Sequence, residues 1–223
     1  MNLIFYGGAK SVTGSNYLLE SSNRKILIDC GMQQGSHFAE RQNFEPFKYK
    51  PSEIEAVFIT HAHIDNIGRL PKLLKDGFKG KVYSTAITKD FAELMLLDSE
   101  HILDKEAERE GRPPLYNTEN IEELMKVWEG VEYHQPISVA GFSVKFFDAG
   151  HILGSAMVRV EAEGKTIIFS GDLGNSPAPI IQPTEKIDSA DYCLIESTYG
   201  NRFHEGLGDR QRDLESAIEN TVK

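Results

Sequence analysis

Residues 58–71 read FITHAHIDNIGRLP and place His61, His63 and Asp65 within five residues, with Asn66 directly after. The preceding run EAVFIT (55–60) is apolar and strand-like, whereas Ile67, Leu70, Leu73 and Leu74 recur at helical spacing as far as Asp76-Gly77. The cluster therefore falls on a strand-to-helix turn at the carboxyl edge of a sheet, where α/β folds gather binding groups. Two residues apart on an extended segment, both imidazoles point the same way and can reach one metal. Asp65 adds a hard oxygen at the helix start. A capping role for Asp65 or Asn66 is compatible with that arrangement.

Two further stretches carry matching donors. DAGHILGS (148–155) sets His151 between glycines that allow close backbone approach, and IIFSGDLGN (167–175) sets Asp172 after an apolar strand. Alone, each histidine is an ordinary surface or core residue and Asp172 an ordinary Asx-turn. Together, three imidazoles and one or two carboxylates make a tetrahedral or five-coordinate zinc site with room for water. Zinc held so lowers the pKa of its bound water to about 7, and the chemistry implied is hydrolysis with a developing oxyanion.

The whole 223-residue chain, with 40% apolar content, is long enough for one sizeable core. Strands are expected at 3–7, 16–20, 25–30, 55–60, 81–84, 131–134, 142–149, 155–162, 165–172 and 191–198, with hairpin turns at SSNRK (21–25) and AEGK (162–165). Helices are expected at 88–110, at 118–128 with Thr118 as cap, and at 209–222; 175–186 is a Pro-rich loop. The pattern is a mixed α/β sandwich. No apolar run approaches the ~18 residues of a membrane span. MNLIFYGG reads as a first strand and not as a signal peptide, so a cytoplasmic location and no membrane partner are expected. Cys30 and Cys193 both follow or sit in apolar runs and read as reduced core thiols. The net charge of −10 argues against broad gripping of a polyanion, while leaving room for a local basic groove or a metal that reads one phosphate. His37, His101 and His134 have no motif context, and Arg69 and Lys72 read as a solvated helix face.

These motifs resemble a known family. HAHIDN is similar to the HxHxDH signature of the metallo-β-lactamase fold, GHILGS and FSGD to its next ligand motifs, and LIDCG to its first. GGAKSVTGSNYLLE (7–20), LIDCGMQQG (27–35), AGHILGSA (149–156) and IESTYGNRFH (195–204) resemble the β-CASP branch of RNA-processing nucleases. The resemblance implies a four-layer αββα sandwich with a metal cleft at one edge. His61, His63 and His151 would hold a first zinc, Asp172 would bridge to a second, and Asp65 would bind the second. Asp29 would hydrogen-bond and orient the metal loop without touching metal. Asp65, Asp172 and Glu196 would be catalytic, Glu196 by supporting a histidine that protonates the leaving group. His204 would lie near the substrate. The implied reaction is phosphodiester hydrolysis, with RNA as substrate.

Two departures qualify the resemblance. Asn66 stands where the family has histidine, and an amide oxygen is a weak zinc ligand. The family also continues into a cap domain, further strands and a late histidine, so residues 1–223 correspond to an N-terminal portion, the sandwich being incomplete at its C-terminus and the cap expected after 223. The expectation is one firmly bound zinc and a second site, kept only by Asp65, Asp172 and Asn66, that is weak or empty. Surface left uncovered suggests a complementing chain or a homodimer. Competing readings are a mono-zinc hydrolase of a thioester or lactone, and a non-catalytic or split-enzyme module of the same fold.

Overall fold

The computed structural model describes residues 1–174, 180–202 and 206–222. Six strands form the first sheet in chain order: β1 (Asn2–Gly7), β2 (Asn16–Ser21), β3 (Arg24–Ile28), β4 (Ile54–Phe58), β5 (Lys81–Thr85) and β6 (Trp128–Val131). β1, β2 and β3 pair antiparallel, and the pairings from β3 to β6 are parallel. The second sheet comprises β7 (Ile137–Val139), β8 (Phe142–Asp148), β9 (Ala156–Ala162), β10 (Lys165–Phe169) and β11 (Tyr192–Leu194), in the order β11-β10-β9-β8-β7. Hairpins join β2–β3, β7–β8 and β9–β10, and each turns on a pair of positive-φ residues: Ser22-Asn23, Ala140-Gly141 and Glu163-Gly164. Two such residues make the turn whose twist matches the flanking strands.

Period-two alternation divides the first sheet's apolar residues between two cores. Leu27, Val57 and Val82 face a helical layer. It is built by α2 (Ile64–Ile67), α3 (Leu70–Lys75), α4 (Ala86–Glu110) and α5 (Thr118–Val127). Ile26, Ile28 and Phe58 face the second sheet and meet Phe146, Val158 and Phe169. On that sheet's outer face, Ala149, Met157 and Ile168 pack with Ile187. Thr184 Oγ1 and Glu185 N tie the 180s segment to Ala149 O and Asp148 O at 2.9 Å each. The two sheets with flanking helices match the expected α/β sandwich. The remaining helices are α1 (His37–Arg41) and α6 (Leu207–Val222).

Several local expectations change. The helix after the metal loop starts at Ile64 and breaks at Gly68-Arg69, because Arg69 N bonds to Cys30 O (2.9 Å) and leaves the helical ladder. Neither Asp65 nor Asn66 caps it: His63 is the N-cap residue and makes no side-chain cap bond. α5 is capped by Asn117, in a reciprocal capping box with Asn120, and not by Thr118. The strand expected at 131–134 runs from Trp128 to Val131, with Trp128 Nε1 donating to Ser84 Oγ at 2.9 Å. Cys30 is a buried free thiol as expected, but Cys193 is exposed, since β11 is an edge strand. Lys72 is buried, only 7% exposed, and bonds Asp76; it does not lie on a solvated face. His101 is exposed on α4, and His134 is exposed and paired with Glu185. No helix among the described residues is long and apolar enough to cross a membrane.

Candidate metal centre

The carboxyl ends of β3, β4, β8 and β10 meet at one end of the sandwich and carry Asp29, the His61–Asn66 loop, His151 and Asp172 respectively. Backbone bonds fix the loop from below: Ser15 N to Asp65 O (2.8 Å), Cys30 N to Asn66 O (2.8 Å) and Met32 N to Ile64 O (3.1 Å). Gly31 is required for this approach, because a Cβ there would lie 1.5 Å from Asp65 O. Ser155 Oγ accepts from His151 N (3.0 Å) and Ile152 N (3.2 Å), shaping the second loop. Gly174 N bonds to Ala149 O (3.0 Å), bringing the third loop against it.

Four side chains converge: His61, His63, His151 and Asp172, with one ligand atom of each within 4.8 Å of every other. His61 Nε2 is 2.9 Å from His63 Nδ1, and His151 Nε2 is 3.3 Å from the same atom. Asp172 Oδ2 lies 3.5 Å from His61 Nε2 and 3.6 Å from His151 Nε2. Donors at ~2.0–2.1 Å around a tetrahedral ion stand about 3.3 Å apart, so the four fit a metal. The three rings are nearly mutually perpendicular, at 83°, 85° and 80°, an arrangement compatible with a tripod of ligands.

Proton placement supports the same conclusion. Asp29 is buried and accepts from Thr60 N (2.8 Å), Thr60 Oγ1 (2.9 Å to Oδ2) and Asn66 Nδ2 (2.9 Å). With its hydroxyl hydrogen committed to Asp29, Thr60 Oγ1 accepts from His61 Nδ1–H at 3.0 Å. That tautomer leaves a lone pair on His61 Nε2, facing the cluster. Burial, then the neighbouring His61, holds His63 and His151 below the ordinary imidazole range. Neutral imidazole is the ligand form. The contact with His61 keeps Asp172 below the usual carboxylate range, whereas burial and the Asp172 charge raise Asp65. Burial pushes Asp29 up to about 6 against its hydrogen bonds.

The other candidate residues divide. Asp65 is beside the cluster but is not one of the four converging donors. Asn66 is 1% exposed and turns its amide nitrogen to Asp29; its Oδ1 has no partner. Glu196 lines the groove beside the centre together with Lys10, Tyr17 and Asp172, in a space of about 460 Å³. Its backbone N donates to Ser170 Oγ at 2.9 Å. His204 lies outside the described residues. Thr60, not singled out in the sequence, links Asp29 to His61; its only sequence signal was its place between the strand and the first histidine.

Fold and site together define a two-sheet sandwich with a candidate metal centre at one end, and residues 11–192 match the metallo-beta-lactamase superfamily. The chain belongs to that superfamily. Among curated relatives, ribonuclease TTHA0252 of Thermus thermophilus is 37% identical over 222 residues, covering 100% of this chain and 49% of its own length. Transcription termination factor FttA of Methanosarcina mazei is 32% identical over 228 residues, covering 97% of this chain and 34% of its own length. Cleavage and polyadenylation specificity factor 73 of Drosophila melanogaster is 31% identical over 219 residues, covering 97% and 31%. The chain thus spans half or less of the length of these relatives, and their names agree with the RNA-processing branch that its motifs resemble. A crystal structure of a protein of unknown function from Enterococcus faecalis V583 shares the fold, at 17% identity and a TM-score of 0.51 over 77% of this chain and 43% of that chain.

Proposed function

We propose that this chain carries the metal centre of a phosphodiester hydrolase acting on RNA, with one zinc held firmly and a second position that is weak. The convergence of His61, His63, His151 and Asp172 carries this reading, supported by relatives named as a ribonuclease and as a cleavage and polyadenylation specificity factor. Zinc held there by His61, His63, His151 and Asp172 would supply Lewis acidity and lower the pKa of a bound water to about 7. The Asp29–Thr60–His61 chain orients the first ligand. Asp172 stays ionised and orients the attacking water. Asp65, with its raised pKa, is placed to take the proton that water loses. Glu196, across the groove, supports protonation of the leaving oxygen. The groove's cation, Lys10, is placed to receive a phosphate oxygen.

At a second position Asp65 and Asp172 would be the carboxylates available, and a cation held there would relieve the Asp172 charge that raises Asp65. Asn66 adds little there, because its amide is engaged by Asp29.

The test is hydrolysis of single-stranded RNA and of an aryl phosphodiester by the zinc-loaded protein, beside a thioester. Phosphodiester cleavage lost in Asp172→Asn is expected. Thioester turnover without phosphodiester turnover, or neither with zinc bound, overturns the reading.

A further inference from the structure

The imidazoles of His61 and His151 are held in different ways. His61 Nδ1 is bonded to Thr60 Oγ1 at 3.0 Å. His151 turns Nε2 to the cluster, and its Nδ1 has no hydrogen-bond partner among the described residues. A metal-binding imidazole is normally aimed by a bond to its other ring nitrogen. The backbone of residues 149–151 must therefore do that work for His151.

Residues 182–185 lie against this backbone. A Cβ on Gly150, directly before His151, would stand 2.7 Å from Thr184 N and 2.8 Å from Gln182 O. Ala149 O accepts from Thr184 Oγ1 at 2.9 Å and from Gly174 N at 3.0 Å, so one carbonyl joins this segment to the loops of both His151 and Asp172.

The segment is anchored in turn at Glu185. β9 pairs with β8 as far as Asp148, but β7 pairs with it only as far as Val144. On the edge left open, His134 N donates to Phe146 O and Glu185 N to Asp148 O, at 2.9 Å each. The Glu185 carboxylate accepts from Asp148 N at 2.7 Å through Oε2, and its Oε1 lies 3.1 Å from His134 Nε2. One carboxylate can take both donors at once, one on each oxygen. The His134 ring is set edge-on against Phe147, with 5.0 Å between centroids. The side chains of His134 and Glu185 are 55% and 35% exposed, so the pair adds little to the core.

We propose that Glu185, held by His134, is a positioning residue for His151. Through Asp148 and the adjoining Thr184 it fixes the backbone that aims the imidazole at the metal. Neither Glu185 nor His134 is among the converging donors. The inference rests on the metal-centre reading above.

The experiment measures zinc affinity of the full chain by competition with a chelator. The visible spectrum of the cobalt(II)-loaded protein reports ligand geometry, and urea unfolding of the metal-free protein reports stability. The variants are Glu185→Ala, Glu185→Gln, His134→Ala and the double alanine variant, with His61→Ala as control for the centre. Zinc affinity should fall about tenfold in Glu185→Ala, with a shifted cobalt spectrum, and about threefold in His134→Ala. Glu185→Gln, whose carbonyl can still accept from Asp148 N, should recover most of the loss. The double variant should match Glu185→Ala alone, because His134 acts through Glu185. Unchanged affinity and spectrum in Glu185→Ala overturn the proposal, even if its urea midpoint falls, since the role is then structural only. Losses that multiply to about thirtyfold in the double variant overturn it as well. A wild type with no zinc site that His61→Ala abolishes overturns the metal-centre reading, and this inference with it.

Discussion

Asn66 donates from Nδ2 to Asp29 Oδ2 at 2.9 Å, and both side chains are buried beneath the metal loop. The bond joins residues 37 apart in the chain. It gives Asp29 a third donor group beside the Thr60 amide and hydroxyl, and it turns the amide of Asn66 toward Asp29. The amide of Asn66 is thus committed to the scaffold beneath the His61–Asn66 loop.

Asn66→His should therefore add a ligand where the amide is weak. Metal content measured by elemental analysis should rise from about one to about two zinc ions per chain. Unchanged content would show that position 66 does not limit the second site. Asn66→Ala should destabilise the metal-free protein by about 1–3 kcal/mol in urea unfolding, because Asp29 then loses a buried donor.

Thr60→Val removes the hydroxyl between Asp29 and His61 Nδ1 while keeping the side chain's shape. His61 then loses the acceptor that fixes its tautomer. Zinc affinity, measured by competition with a chelator, should fall ~10–100-fold, and Thr60→Ser should restore it. Equal affinities in all three proteins would remove Thr60 from the site.

The two thiols should separate by reactivity. Burial pushes Cys30 up to about 12, whereas Cys193 lies exposed on an edge strand. A thiol-disulfide reagent at pH 8 should modify one cysteine in the native protein, and the second only after denaturant is added. Rapid modification of both, or of neither, would contradict this burial pattern.

The pH dependence of the metal-free protein should carry the mark of the histidines. His63 and His151 titrate below the ordinary 6.5 in the folded state, burial being the main cause, and return to it on unfolding. Below pH 6.5 the unfolded chain binds more protons, so stability falls as pH drops until the folded values are passed. The raised Asp29 acts in the opposite sense, but equally in wild type and variant. His151→Asn should lose less stability than wild type between pH 7.5 and 5.5 in urea unfolding. An equal or greater loss would refute the assignment.

What the sequence revealed follows from how local each feature is. HAHIDN, GHILGS and FSGD are short segments in which ligand type and strand-end position can be read directly, and the structure brings His61, His63, His151 and Asp172 together. Two hairpins were legible from SSNRK and AEGK, since paired positive-φ residues are a local demand. That Asp29 would hydrogen-bond the loop came only from the family resemblance, and that Asn66 is one of its partners was not legible, because it depends on β3 lying beside β4. Arg69 and Lys72 looked like a solvated face because helical period says nothing of Phe47, which arrives from a separate loop. Cys193 looked buried because its apolar neighbours hide that β11 is an edge strand.

The most direct measurement is zinc bound per chain after dialysis, by elemental analysis, in the wild type and in His61→Ala. About one zinc in the wild type and none in the variant is the predicted result. No zinc in the wild type, or equal zinc in both, would contradict the centre formed by His61, His63, His151 and Asp172.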